Sequence, residues 1–243
     1  MKQENGFEEH QRYYNAYWAN HDQRLNAHEI TRLAEILRGI ALITENTGKT
    51  PMKICDLGCG RGWISNELSK FGSVIGVDLS ETGVSGAQTR WPNVEYRVAD
   101  ITKWRPDEKF DLVVSSEVIE HVPNQRVFSQ TVRHLLRDGG HIILTTPNAK
   151  VKKVWDAGAN GTQLVEQWLS LKELRDLFPG LTVLDHHTFI FDFSYHGIFR
   201  VTSAPMILSV LKKLGVIPLY DAARNIFNMG LYQVMVGKYP PLP

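Results

Sequence analysis

The run Asp56-Leu57-Gly58-Cys59-Gly60-Arg61-Gly62 leaves the apolar segment Met52-Lys53-Ile54-Cys55 with a carboxylate, then places glycine at every second position. At Gly58 and Gly60 the backbone carries no Cβ, so a ligand can approach it closely. The helix expected to open near Gly62 offers unpaired N–H groups to a negative charge. A second acid, Asp78, closes the next apolar run about 20 residues on, a spacing that suits a carboxylate accepting hydrogen bonds from ribose hydroxyls. A third group of reactive side chains, Glu117, Glu120 and His121, stands just beyond another apolar run, 110–115. His121 is the candidate general base, because imidazole titrates near neutrality. Its alternative role is to pack against a ligand or to orient Glu120. Glu117 and Glu120 either cap a helical turn or meet a substrate.

A glycine-x-glycine turn also opens dinucleotide sites. The dinucleotide fingerprint wants a third glycine three places after the second, and Trp63 stands there. Asp56, aimed into the turn, would repel a pyrophosphate and welcome an ammonium group. A ligand with a ribose, a carboxylate, an ammonium and no phosphate is S-adenosylmethionine. A nicotinamide-dependent oxidoreductase and a non-catalytic cofactor-binding regulator stand as the alternatives.

These residues need elements to hold them. Strands are expected at 52–57, 73–77, 94–99, 110–115 and 141–146, with two more at 181–191 and 230–238. Helices are expected at 27–44, with Ile30, Leu33, Ile36, Leu37 and Ile40 on one face, after the glycine turn, at 81–90 and at 125–137. Asp138-Gly139-Gly140 reads as a left-handed cap on the last of these. Ser170-x-x-Glu173 reads as a capping box for a helix running to Phe178. Strand-helix alternation at this pitch predicts an α/β fold with an open, mostly parallel, doubly wound sheet. The aromatic N-terminus (Tyr13, Tyr14, Tyr17, Trp18) and the segments 148–168 and 193–229 fall outside that rhythm. The 193–229 segment carries the stripe Met206-Ile207-Val210-Leu211-Leu214, read as a lid or core face, with a peripheral membrane contact as the alternative.

Composition narrows the classes. The chain has 243 residues, 43% of them hydrophobic, and a formal net charge of +1 without any dense basic block. A nucleic-acid partner is therefore not expected. Cys55 and Cys59 suit neither a staple nor a zinc site. With a polar, acidic N-terminus and no apolar run long enough to span a bilayer, the expected location is the cytoplasm.

DLGCGRG, GVDLS (76–80), VADI (98–101), FDLVVSSEVIEHV (110–122) and LLRDGGHIILTTPN (135–148) resemble the successive motifs of class I S-adenosylmethionine-dependent methyltransferases. The likeness covers roughly residues 50–190 in order and spacing. Within the class, the E-x-x-E-H-V run and the later S-x-x-E-L helix are similar to the ubiquinone-biosynthesis O-methyltransferase, or methyltransferase type 11, branch. The resemblance implies a Rossmann-like seven-stranded sheet with an antiparallel last strand and a helical insertion between the last two. It implies one methyltransferase domain over 1–243, with an N-terminal helical cap at 1–45, a cofactor-binding core at 50–192, a lid at 193–229 and the last strand at 230–240.

It also implies roles. Gly58 and Gly60 would line the methionine part of the cofactor and Asp56 would hold its amino group, directly or through water. Asp78 would bind the ribose, with Leu79 on the adenine. Asp100 would accept from the adenine amino group, with Ile101 beside the ring. Ser116 would offer its backbone, and Arg24 would reach the cofactor carboxylate. The acceptor would be a small aromatic or sugar-like molecule methylated on oxygen, with nitrogen or carbon attack, or a lipid-linked acceptor, as the alternative. The E-x-x-E-H run also resembles the metal ligands of a small-RNA 2′-O-methyltransferase branch. No histidine falls between His141 and His186, and Gln163 stands where related enzymes often have one, so no catalytic metal is expected.

Overall fold

The computed structural model describes residues 2–20, 25–50, 52–152, 164–190, 209–210, 212–216 and 228–240. Seven strands form one sheet: β1 (Met52–Leu57), β2 (Gly72–Asp78), β3 (Glu95–Val98), β4 (Phe110–Ser116), β5 (Leu136–Pro147), β6 (Thr182–Phe189) and β7 (Tyr232–Lys238). Their spatial order is β3-β2-β1-β4-β5-β7-β6. β7 runs antiparallel to both its neighbours, and the other pairs are parallel. The chain therefore reverses its winding between β1 and β4, where such sheets hold ligands at their carboxyl ends.

Helices cover both faces. On one face α2 (Ala27–Thr47), α3 (Trp63–Leu68) and α4 (Glu81–Arg90) bury Ile36, Ile40, Leu68 and Ala87 against Ile54, Leu112 and Val236. On the other, α5 (Gln125–Leu135) and α6 (Leu171–Asp176) bury Phe128, Val132 and Leu174 against Leu57, Val113 and Leu144. Burying each such side chain contributes roughly 1.5–3 kcal/mol.

The local signals are those of the sequence, with two corrections. Asn26 and Glu29 form a reciprocal capping box that starts α2, and Ser170 and Glu173 form the one that starts α6. The buried stripe of α2 is Ile36, Ile40 and Ile43, whereas Ile30, expected on that face, is 56% exposed. The helix expected to run to 137 stops at Leu135. Leu136 is already extended and pairs with Phe110, and the β4–β5 register shifts before Leu112. Gly139, with φ 73°, thus serves an irregularity at the start of β5 rather than a helix cap.

The aromatic N-terminus forms a helix, α1 (Lys2–Asn20), lying against α4. Of the stripe in the 193–229 segment, Val210 and Leu214 are described, and both are exposed. Its other members, Met206, Ile207 and Leu211, lie outside the described residues, as do Arg24 and Gln163. Among the described residues, no helix is long and apolar enough to cross a membrane.

Candidate active site

A cavity of about 810 Å³ opens at the carboxyl ends of the central strands, beneath α1. Its floor is the glycine turn. Gly58 and Cys59 donate their N–H groups to Val77 O, at 2.7 and 3.0 Å. Gly60 N–H donates to Asp78 Oδ2 and Ser80 N–H to Asp78 Oδ1, both at 2.8 Å. Asp78 therefore ties the turn to the end of β2, and each oxygen keeps a further lone pair for a ligand hydroxyl. Burial raises its pKa from the ordinary value, and those backbone donors pull it back.

Gly58 and Gly60 both line the cavity, and both have left-handed backbones, φ 87° and 51°. A Cβ on Gly58 would stand 2.2 Å from Val118 Cγ2, and one on Gly60 2.4 Å from Trp18 Cζ2. The missing side chains thus let Val118 and the Trp18 indole settle onto the turn and form cavity walls of their own.

Asp56 corrects the expectation drawn from its position. Its carboxylate is buried on the helical side of β1 and accepts from Ser65 Oγ at 2.5 Å. It is not among the residues lining the cavity. Burial pushes its pKa up to about 7. It anchors α3 under the turn and does not itself border the cavity, so of the two expected modes direct contact with a ligand is the one the geometry removes.

The far end of the cavity holds Leu79, Asp100 and Ile101. Asp100 Oδ1 accepts from Thr102 N–H and Oγ1, at 2.9 and 2.6 Å, leaving Oδ2 3.5 Å from Lys103 Nζ. Here α1 is fastened down. Gln11 Nε2 donates to Leu79 O at 3.1 Å, and Asn15 Oδ1 accepts from Ser80 Oγ at 2.7 Å and Thr82 N–H at 3.1 Å. Tyr14, Tyr17 and Trp18 of the same helix line the cavity.

At the near end stand Ser116, Glu117, Glu120 and His121. Ser116 Oγ and Thr145 Oγ1 share a hydrogen bond of 2.9 Å. Glu117 has φ 57°, a strained conformation for a side chain other than glycine. Its carboxyl accepts from Thr145 Oγ1 at 3.1 Å and faces Arg32 at 3.3 Å. Burial, then repulsion from Glu120, pushes its pKa up to about 8. Glu120, 1% exposed, accepts from Thr146 Oγ1 at 2.9 Å, and burial pushes it up to about 7. His121 Nδ1 is 3.0 Å from Val165 O, and Nε2 is 3.6 Å from Glu120 Oε1. A carbonyl only accepts, so Nδ1 carries the proton and neutral His121 keeps a lone pair on Nε2. Burial holds its pKa below the ordinary imidazole value.

Among the described residues, the guanidinium that lines the cavity is that of Arg32, a residue not singled out from sequence. It stacks over Tyr232, 5.4 Å from the ring centre, and its Nε is buried without a hydrogen-bond partner. The signal was its place three residues after Glu29 on α2, but the helical phase alone does not say that α2 packs on β5 and β7, beside Tyr232. His186 and His187, neighbours on β6, do not line the cavity: His186 bonds Arg175 and Gln233, and His187 pairs with Glu35 and Asp185. Among the described residues, no group of three or more His, Cys, Asp or Glu side chains is arranged to hold a metal ion.

Comparison with known proteins agrees with this geometry. A family described as "Methyltransferase domain" matches residues 17–190. The chain is 31% identical over 123 residues to a ubiquinone biosynthesis O-methyltransferase of Bradyrhizobium diazoefficiens, covering 49% of this chain and 48% of that protein. It is 37% identical over 107 residues to the human mitochondrial protein of the same description, covering 40% of this chain and 29% of that one. The chain thus spans about half, or less, of the length of these curated relatives. Two solved structures share the fold. N-methyltransferase NodS of Bradyrhizobium japonicum WM9 has TM-score 0.65 and 15% identity, covering 95% of this chain and 98% of that one. Magnesium protoporphyrin IX methyltransferase of Synechocystis PCC 6803 has TM-score 0.61 and 14% identity, covering 94% and 97%.

The seven-stranded sheet, reversing between β1 and β4 and carrying antiparallel β7, together with the family match, identifies the chain as a class I S-adenosylmethionine-dependent methyltransferase. The chain belongs to the methyltransferase-domain family.

Proposed function

We propose that this protein methylates a hydroxyl oxygen of a small-molecule or sugar-like acceptor, with His121 as the general base. The observation that carries the reading is the His121 Nδ1–Val165 O hydrogen bond at 3.0 Å, which leaves Nε2 free to take a proton. The description of the curated relatives as O-methyltransferases supports attack by oxygen.

The residues present fit S-adenosylmethionine. Asp78 retains lone pairs for the ribose hydroxyls, Asp100 and Ile101 stand where the adenine would lie, and Ser116 borders the methionine end. The Arg32 guanidinium, which lines the cavity, is a further group that would meet the cofactor carboxylate, alongside the expected Arg24. Asp56 holds the turn from below. When bound, this cofactor supplies an electrophilic methyl whose leaving group is a neutral thioether.

The protein's share of the chemistry is then alignment, exclusion of water and removal of one proton. α1, fastened by Gln11 and Asn15, shields the cavity from solvent. His121 Nε2 accepts the acceptor's hydroxyl proton, and the Glu120 carboxylate 3.6 Å away stabilises the imidazolium. The same base would deprotonate an ammonium, so the acceptor atom is an outcome of the test. We place the reaction in the cytoplasm, without a nucleic-acid partner, in keeping with the net charge of +1 and the free Cys55 and Cys59.

The test is transfer of labelled methyl from S-adenosylmethionine to matched catechols, polyols and amines. With an acceptor found, His121→Asn should lower kcat by about 10²–10⁴ while affinity for S-adenosylhomocysteine holds. An acceptor methylated at wild-type rate by that variant refutes the base. Transfer to amines alone refutes the oxygen assignment.

A further inference from the structure

The lone pair on His121 depends on a carbonyl 44 residues away in sequence, Val165 O. Val165 belongs to a short segment that packs along the turn Ile119–His121. Two contacts join turn and segment directly: the His121 Nδ1–H bond itself, and Gln167 N–H donating to Glu120 O at 2.8 Å. A third group spans both. Gln125, the first residue of α5, donates from one amide nitrogen to Ile119 O at 3.1 Å and to Gln167 O at 2.8 Å. Both partners are carbonyls, so the amide must present its NH2 to them, one hydrogen to each. Gln125 is not a cavity-lining residue, so it touches neither ligand nor reacting atoms.

We propose that Gln125 is a positioning residue for His121: its amide clamps the 165–167 segment to the 119–121 turn, seats Val165 O on His121 Nδ1, and thereby fixes the tautomer that leaves Nε2 as the base. The inference rests on the reading of His121 as base for its meaning, but not for its test. The clamp also links the base to a wall of the cavity, since Glu166 and Trp168 of the same segment line it. Displacement of that wall would release Nδ1, and the Nε2–H tautomer, which cannot accept a proton at Nε2, would gain population.

Two variants separate positioning from folding. Gln125→Ala removes the amide. Gln125→Glu keeps its shape but replaces the donors with a carboxylate that both carbonyls repel, while an acid at a helix N-terminus supports α5. The tautomer is read without any acceptor, from ¹⁵N–¹H correlation of labelled imidazoles, with His121→Asn assigning the resonance. The wild type should show His121 as the Nδ1–H form. Both variants should keep the wild-type melting temperature to within a few degrees and the affinity for S-adenosylhomocysteine, yet show a mixture with Nε2–H. Once an acceptor is in hand, kcat should fall about tenfold, less than the ~10²–10⁴ attributable to the base itself. If His121 stays purely Nδ1–H in folded Gln125→Glu, the clamp is refuted. If the tautomer shifts but His121→Asn leaves methyl transfer intact, the clamp stands and the base reading fails.

Discussion

Glu120→Gln should stabilise the ligand-free protein above neutral pH while damaging methyl transfer. The Glu120 carboxyl is 1% exposed, and burial lifts its pKa to about 7. In the unfolded chain it titrates in the ordinary carboxylate range, near 4.3. Between those values the unfolded state gives up its proton while the folded state keeps it. The folded state then binds more protons, so stability falls as pH rises. The contribution is fully present below the unfolded pKa and lost as pH passes the folded one. Carrying a carboxyl from its ordinary range to about 7 corresponds to roughly 4 kcal/mol at the upper limit, and coupling to Glu117 makes about 1–2 kcal/mol the safer figure.

Glutamine keeps the shape, its carbonyl still accepts from Thr146 Oγ1, and its NH2 can face His121 Nε2. In a chain of this size about 1–2 kcal/mol moves Tm by roughly 2–8 °C. Thermal unfolding of wild type and Glu120→Gln at about pH 5 and pH 8, without ligand, gives the answer. The variant should gain most at the higher pH. Equal melting temperatures at pH 8, or a gain that does not grow between the two pH values, would show that the carboxyl is not held at a cost.

Four further outcomes follow from the same geometry. Gly60→Ala forces a side chain into a left-handed backbone, about 1–2 kcal/mol, and drives its Cβ into Trp18; calorimetry with S-adenosylhomocysteine should find much weakened binding. Asp78→Asn removes charge-assisted hydrogen bonds worth ~1.5–3 kcal/mol, so affinity for the same ligand should drop roughly 10- to 100-fold. Arg32→Gln leaves Glu117 without its cation, which should weaken ligand binding and raise the Glu117 pKa further; unchanged affinity by titration would remove Arg32 from the cofactor site. With an acceptor in hand, the acid limb of the rate–pH profile should lie below the ordinary imidazole value of ~6.5, since burial lowers the pKa of His121.

The turn after β1, the acids closing β2 and β3, and the E-x-x-E-H run could be read from the chain because each is a short-range fact. Neighbouring residues fix a left-handed turn, a strand end or a capping box, and the spacing between Gly60 and Asp78 follows from one helix and one strand. The order of strand and helix also fixed the class of sheet. Direction across elements could not be read in this way. Asp56 was expected to face the ligand, but the pleat of β1 and the docking of α3 turn it to Ser65. Arg32 reaches the cavity only because α2 packs on β5 and β7, and Trp18 reaches Gly60 only because α1 lies on α4. The proton on His121 is set by Val165, 44 residues away, and by the Gln125 bond to Gln167, 42 residues away. Backbone conformation is decided by residues a few places apart, whereas a side chain's partner is decided by how whole elements pack, and only the folded chain specifies that.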